Sequence, residues 1–177
     1  MRTLTVLSAF WLAIANISVA QDAPTPIDGI QHIFHDDLLD QMNGAWQLTG
    51  TIQGRAAHHT VAARWILNHQ FLEIHERDTA EPAKSESAYE AIALIGYDHM
   101  SERYVLHWND VFGARFSETL GYGARSGNEI AFIFEYPDGP FRTVFRWLPD
   151  QKQWEWLMRA KNPRGQWEEF GRMTLAP

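Results

Sequence analysis

Cysteine is absent from all 177 residues. That excludes disulfides, thiolate metal sites and thiol nucleophiles, so the chain must hold itself together by burial and hydrogen bonding alone. Basic runs are missing too: 15 Lys and Arg stand against 22 Asp and Glu, a formal net charge of −7. An acidic surface without a basic stripe argues against nucleic acid and anionic membranes as partners. No serine sits in a G-x-S-x-G context, so the usual strand-to-helix nucleophile is also lacking. Past residue 20 there is no apolar stretch long enough to span a membrane, and no sustained helical period.

What is present at the start reads as a removable leader. Arg2 gives a short positive start, Leu4 to Val19 is apolar, and Ser18-Val19-Ala20 offers the small residues at which a signal peptidase cuts. We expect residues 1–20 to be a signal peptide cleaved near Ala20, residues 21–34 a flexible lead-in, and residues 35–177 a single domain. Cleavage removes Arg2 and takes the formal charge from −7 to −8. An exported chain without disulfides points to a periplasmic or secreted bacterial protein.

From Gly44 onward, short apolar-aromatic runs alternate with turn signals roughly every ten to twelve residues. Ser126-Gly127-Asn128, Pro137-Asp138-Gly139-Pro140, Pro149-Asp150-Gln151-Lys152 and Asn162-Pro163-Arg164-Gly165 supply the fixed-φ and positive-φ positions of tight connections. The pattern predicts an all-β fold, an antiparallel meander of about ten strands closed into a barrel. Before it, His35 to Met42 reads as a short helix with acidic residues in its first turn and Leu38, Leu39 and Met42 on one face. Its expected role is to plug one end.

Strand alternation nominates an interior. In the second run Val61, Ala63 and Trp65 share a face; in the fifth Tyr104, Leu106 and Trp108 do; in the eighth Phe141, Thr143, Phe145 and Trp147 do. Burial of the large aromatics outweighs that of Arg142 and Arg146, so these arginines are expected outside. The predicted ligand-binding residues are Trp65, Tyr89, Tyr97, Trp108, Phe132, Phe145 and Trp156. Glu73 and His75 share a face and could form an acid–base pair or half a metal site, against the plainer reading of a solvated strand face. Asp110 could fix a donor group, or simply start the Asp110-to-Gly113 turn. His58 and His59 are sequential and cannot both grip one ion. No metal site or cofactor is expected.

Gly44-Ala45-Trp46 after a short helix, ten strands, and Arg172 on the last strand together resemble the calycin barrels: lipocalins, fatty-acid-binding proteins and nitrobindin-like proteins. More specifically, Met42-Asn43-Gly44-Ala45-Trp46, Arg64 to Leu72, Tyr89 to Ile92 leading to Gly96-Tyr97-Asp98, Trp108-Asn109-Asp110 and Gly165-Gln166-Trp167 resemble a bacterial exported family of unknown function with a lipocalin-like barrel, over residues 36 to 175. The calycin resemblance implies that Trp46 packs against Arg172 in a cation–π contact closing the barrel. It does not carry haem: nitrobindin-like proteins use a late histidine, and the last one here is His107.

The expected function is therefore that of a periplasmic barrel binding a small apolar or amphipathic molecule, a binding role favoured over an enzymatic one. Two alternatives stand beside it. One is a barrel enzyme using Glu73 and His75, or Asp110, as acid and base. The other is a dimeric interaction module with a filled core, suggested by the seventh strand, Ile130 to Tyr136, which is apolar on both faces. That strand leans the reading toward a homodimer partner.

Overall fold

The computed structural model describes residues 34–79, 88–113 and 120–177. The expected leader, residues 1–20, and nearly all of the lead-in lie outside the described residues. A short helix α1 (Asp37–Asp40) is followed by ten strands: β1 (Gly44–Ile52), β2 (Arg55–Ile66), β3 (Phe71–Asp78), β4 (Glu90–Asp98), β5 (Arg103–Asp110), β6 (Leu120–Ser126), β7 (Glu129–Tyr136), β8 (Gly139–Leu148), β9 (Gln153–Lys161) and β10 (Trp167–Ala176). Each strand pairs antiparallel with its sequence neighbour, and β1 pairs with β10 to seal the cylinder. The all-β meander read from the turn spacing is the observed fold. No helix among the described residues is long and apolar enough to cross a membrane.

Closure depends on a close backbone approach at the seam. Gly50 faces Met173 across it, and a Cβ at Gly50 would lie 2.1 Å from the Arg172 carbonyl oxygen. Its φ of +155° adds a conformation that side chains resist. On β10 the register slips between Glu169 and Gly171, a bulge that leaves Phe170 to reach the Phe141 ring, 5.2 Å away. At the β1–β2 hairpin Gln53 and Gly54 both take positive φ, 49° and 75°, as a two-residue turn matched to the strand twist requires.

The strands read inward with period two. On β2, Ala57, His59, Val61 and Ala63 are buried while Ala56, His58, Thr60 and Ala62 are exposed. On β8, Phe141, Thr143 and Phe145 share the inward face, and Arg142 and Arg146 pair outside with Glu129 and Glu155. The interior is not uniform along the axis. Toward the α1 end it is solid: Leu48, Leu72, Ile95, Leu106, Ile130, Trp154 and Leu175 are essentially inaccessible. Replacing one large aromatic such as Trp154 by Ala would cost about 3–5 kcal/mol. Toward the other end the packing gives way to a hollow.

The α1 end is built as a plug. The helix is only four residues long, shorter than the apolar face suggested, because its last turn bends into Gly44. Leu38, Leu39 and Met42 are still buried under it. Trp46 Nε1 donates to the Met42 carbonyl at 2.7 Å, and Trp154 Nε1 to that of Gln41 at 3.4 Å. Asp36 caps the helix and is 5% exposed: its Oδ1 accepts from Leu38 N, Leu39 N and Arg125 Nη1 at 3.0, 2.8 and 3.2 Å, and its Oδ2 accepts from the Tyr104 hydroxyl. Phe34, expected in the flexible lead-in, is instead buried against Trp65, Tyr97 and Tyr104. Alongside, Leu67, Asn68 and His69 run through three successive positive φ values of 49°, 55° and 64°. His69 anchors that turn, its Nδ1 at 2.7 Å from the Phe34 carbonyl and its ring 3.9 Å from that of Trp65.

The expected Trp46–Arg172 contact is not made. Trp46 points inward near the plug, at the edge of Trp147, whereas Arg172 points outward and binds Glu155 and Glu169. The two lie on opposite faces of the wall and at different heights, since Arg172 stands opposite Thr51 rather than Trp46.

Candidate functional site

The hollow is a cavity of about 750 Å3 in the half of the barrel away from α1. Its rim is formed by Gln53, Arg55, Phe112, Gly113 and Asp138, all exposed, so it opens to solvent between the turns. It exists because the inward positions of β2 here are small or polar, Ala57 and His59, while large rings line the opposite wall. Phe134 stacks on Tyr136 at 5.6 Å, and Trp108 lies 5.4 Å from Trp156. The Trp156 indole N–H is satisfied inside the wall by Thr143 Oγ1 at 2.5 Å.

Two buried ionisable residues lie in the wall of this aromatic chamber. Glu76, on β3, is 2% exposed, and His59, on β2, is 6% exposed. His59 Nδ1 lies 2.5 Å from Glu76 Oε1. The other carboxylate oxygen, Glu76 Oε2, is buried with no hydrogen-bond partner among the described residues. Leaving such an acceptor unpaired costs about 1–3 kcal/mol, and more for a charged group. Burial opposes a charge on His59, but the hydrogen bond and charge of Glu76, with Asp78 behind, outweigh it and raise the imidazole pKa above 6.5. The contact occupies Glu76 Oε1 and leaves one acceptor site spare.

The surroundings are electronegative. Tyr89 stacks over His59 at 5.6 Å, and its phenol is pushed far above 10 by burial first, then by the charges of Glu76 and Asp110; an indole hydrogen bond from Trp108 works the other way. Burial, then Asp110 and Asp138, push Tyr136 up to about 12. Both tyrosines therefore stay neutral donors.

Of the seven residues predicted to bind a ligand, Tyr89, Trp108 and Trp156 line the cavity. Phe132 and Phe145 face inward but lie in the solid part of the core, 6.3 Å apart. Trp65 and Tyr97 sit at the plug, where Trp65 Nε1 donates to Asp40 Oδ1 at 2.8 Å. Glu73 and His75 lie on the outer wall, committed to Arg64 and Glu90 at 2.8 and 2.5 Å, so the acid–base pair of the enzyme alternative does not face the cavity. Asp110 does line it, while its Oδ1 accepts from Phe112 N at 2.9 Å in the turn.

His59 and Glu76 were missed, although alternation reaches both. Extending the Val61–Ala63–Trp65 face back by one step puts His59 inside, and extending Leu72–Ile74 forward puts Glu76 inside. The second recess, at the plug, is a more open groove of about 780 Å3 lined by Tyr97, His99, Glu102, Tyr104 and Arg125, in which Asp36 and Arg125 bind each other. Among the described residues, no group of three or more His, Asp or Glu is placed to hold a metal ion.

A sealed ten-stranded antiparallel barrel, plugged at one end and hollow at the other, defines the class of this molecule. The chain belongs to the family described as "Protein of unknown function (DUF1579)", which matches residues 34–176, from the buried Phe34 to the last strand. No significant match is found among curated proteins.

Proposed function

We propose that this protein is a calycin-like binding barrel of the bacterial periplasm, which takes up one small apolar or amphipathic molecule. The observation that carries this reading is the open chamber of about 750 Å3, aromatic on one wall and furnished with a few convergent polar groups. Its size falls within the range of roughly 300–1,000 Å3 typical of small-molecule sites, and its lining has their usual character. Export rests on the leader read in residues 1–20.

The test uses a hydrophobic fluorescent probe and native mass spectrometry of protein recovered from the periplasm. Uptake of the probe should quench tryptophan emission, and Trp108→Ala should weaken that response. The recovered protein should start near Gln21 and carry a non-covalent mass. Failure of any apolar probe to bind, together with an empty native spectrum, would overturn the reading.

A further inference from the structure

We propose that Glu76 Oε2 is the recognition point of the cavity, and that the ligand is an apolar, ring-bearing molecule carrying a hydroxyl or amine donor rather than a carboxylate. This deepens the binding reading above and rests on it.

Three features of the chamber point the same way. The first is the spare acceptor. Glu76 is buried at 2% exposure and faces the cavity, His59 occupies only its Oε1, and Oε2 has no partner among the described residues. The asymmetry is specific to this carboxylate, since Asp36, the other buried one, has both oxygens engaged. An oxygen in that state is completed by a donor and is repelled by another acceptor.

The second is the placement of positive charge. Binding a carboxylate inside a barrel calls for inward arginines with bidentate geometry. Here Arg142, Arg146 and Arg172 all point outward into ion pairs with Glu129, Glu155 and Glu169. The basic residues that touch the chamber, Arg55 and Lys161, come from the strand ends beside the mouth, far along β2 and β9 from the plug. His59 is already spent on Glu76, and Asp110 adds a second carboxylate to the wall.

The third is the body of the site. Trp108, Trp156, Phe134 and Phe141 offer flat apolar faces, which suit a ring, and would also attract a cationic amine through their π faces. A site built around an unpaired buried acceptor rejects the analogue that lacks the donor, because the acceptor is then left dry.

The experiment compares four ligands of one shape by calorimetry on the full chain: 2-naphthol, 2-naphthylmethylamine, 2-methylnaphthalene and 2-naphthoic acid. The alcohol or the amine should bind roughly ten- to a hundredfold more tightly than the methyl compound, and the acid weakest of all. Which of the two donors wins distinguishes a neutral from a cationic head group. In Glu76→Met the advantage of the donor over the methyl compound should vanish while binding of the methyl compound persists. Should that variant fail to fold, Glu76→Gln, or the His59 imidazole resonance of the unaltered protein, serves instead: the resonance should move with the donor ligands and not with 2-methylnaphthalene. Equal affinity for all four, or preference for the acid, overturns the proposal and leaves the binding reading standing. If none of the four binds, and no apolar probe does, the binding reading itself falls and the proposal with it.

Discussion

The two ends of this barrel each bury one carboxylate, and they treat it in opposite ways. At the plug, Asp36 receives two backbone amides, a tyrosine hydroxyl and a guanidinium, leaving nothing over. In the hollow, Glu76 receives one histidine and keeps an oxygen unpaired. Both are almost fully buried, at 5% and 2% exposure. Burial alone does not tell these two acids apart; the completeness of their hydrogen bonding does. A fully satisfied acid fastens elements together, while an unsatisfied one carries a local cost that a ligand of the proposed kind would relieve.

The comparison can be broken most directly by removing each acid. Asp36→Ala takes away the helix cap and the partner of the Tyr104 hydroxyl, while Arg125 keeps Asp37, and should destabilise the fold by about 2 kcal/mol in urea denaturation. The paired replacement His59→Leu with Glu76→Met should do the reverse, stabilising by roughly 1–2 kcal/mol, since a buried ion pair exchanged for packed apolar groups commonly gains. If the two changes destabilise equally, the distinction between the ends is lost.

A smaller effect sharpens the same contrast at the plug. Leu67 is 66% exposed and holds φ at 49°, so Leu67→Gly should relieve strain and stabilise by up to about 1 kcal/mol, read as a higher melting temperature. Its failure to do so would mean that the Leu67 side chain contributes packing to the turn.

The least conspicuous difference lies in pH. The raised His59 value means that the pair's contribution is complete below pH 6.5 and is lost as pH rises through the folded pKa. Tyr136 follows at higher pH, its contribution intact below 10 and lost as pH rises through about 12. The plug behaves oppositely: hydrogen bonds from Arg125 hold the Asp37 carboxyl below 3.8, so its contribution is present above that value and disappears as pH falls through the folded pKa. Urea midpoints measured in mild alkali and in acid should therefore drop for different reasons. His59→Leu/Glu76→Met should flatten the loss that His59 causes above pH 6.5 and leave the acid side unchanged.

Much of this was legible in the sequence, and the missing part has one cause. Turn residues between alternating runs give the number of strands and their antiparallel order, and alternation gives the inward face of those strands that are polar on one side, though not of β7, which is apolar on both. Neither gives height along the axis. Trp65, Tyr97, Phe132 and Phe145 face inward, yet they sit at the plug or in the solid core, because depth depends on the stagger between strands, which pairing alone sets. The expected Trp46–Arg172 contact fails on two counts: the register places Arg172 opposite Thr51, and Arg172 points outward while Trp46 points inward. His59 and Glu76 lie 17 residues apart in sequence, and only the β2–β3 register, with Val61 opposite Glu76, brings them together.

The seam between the first and last strands has a consequence for how the molecule is made. Gln47 meets Ala176 and Ile52 meets Gly171, so the cylinder cannot shut until synthesis has delivered β10. Until then β1 and β10 each present a bare edge ready to recruit a neighbour. Pairings so distant along the chain form slowly. The newly made protein therefore passes through an unsealed stage in which sticking to other chains competes with shutting, and a substituent at Gly50 would prolong that stage.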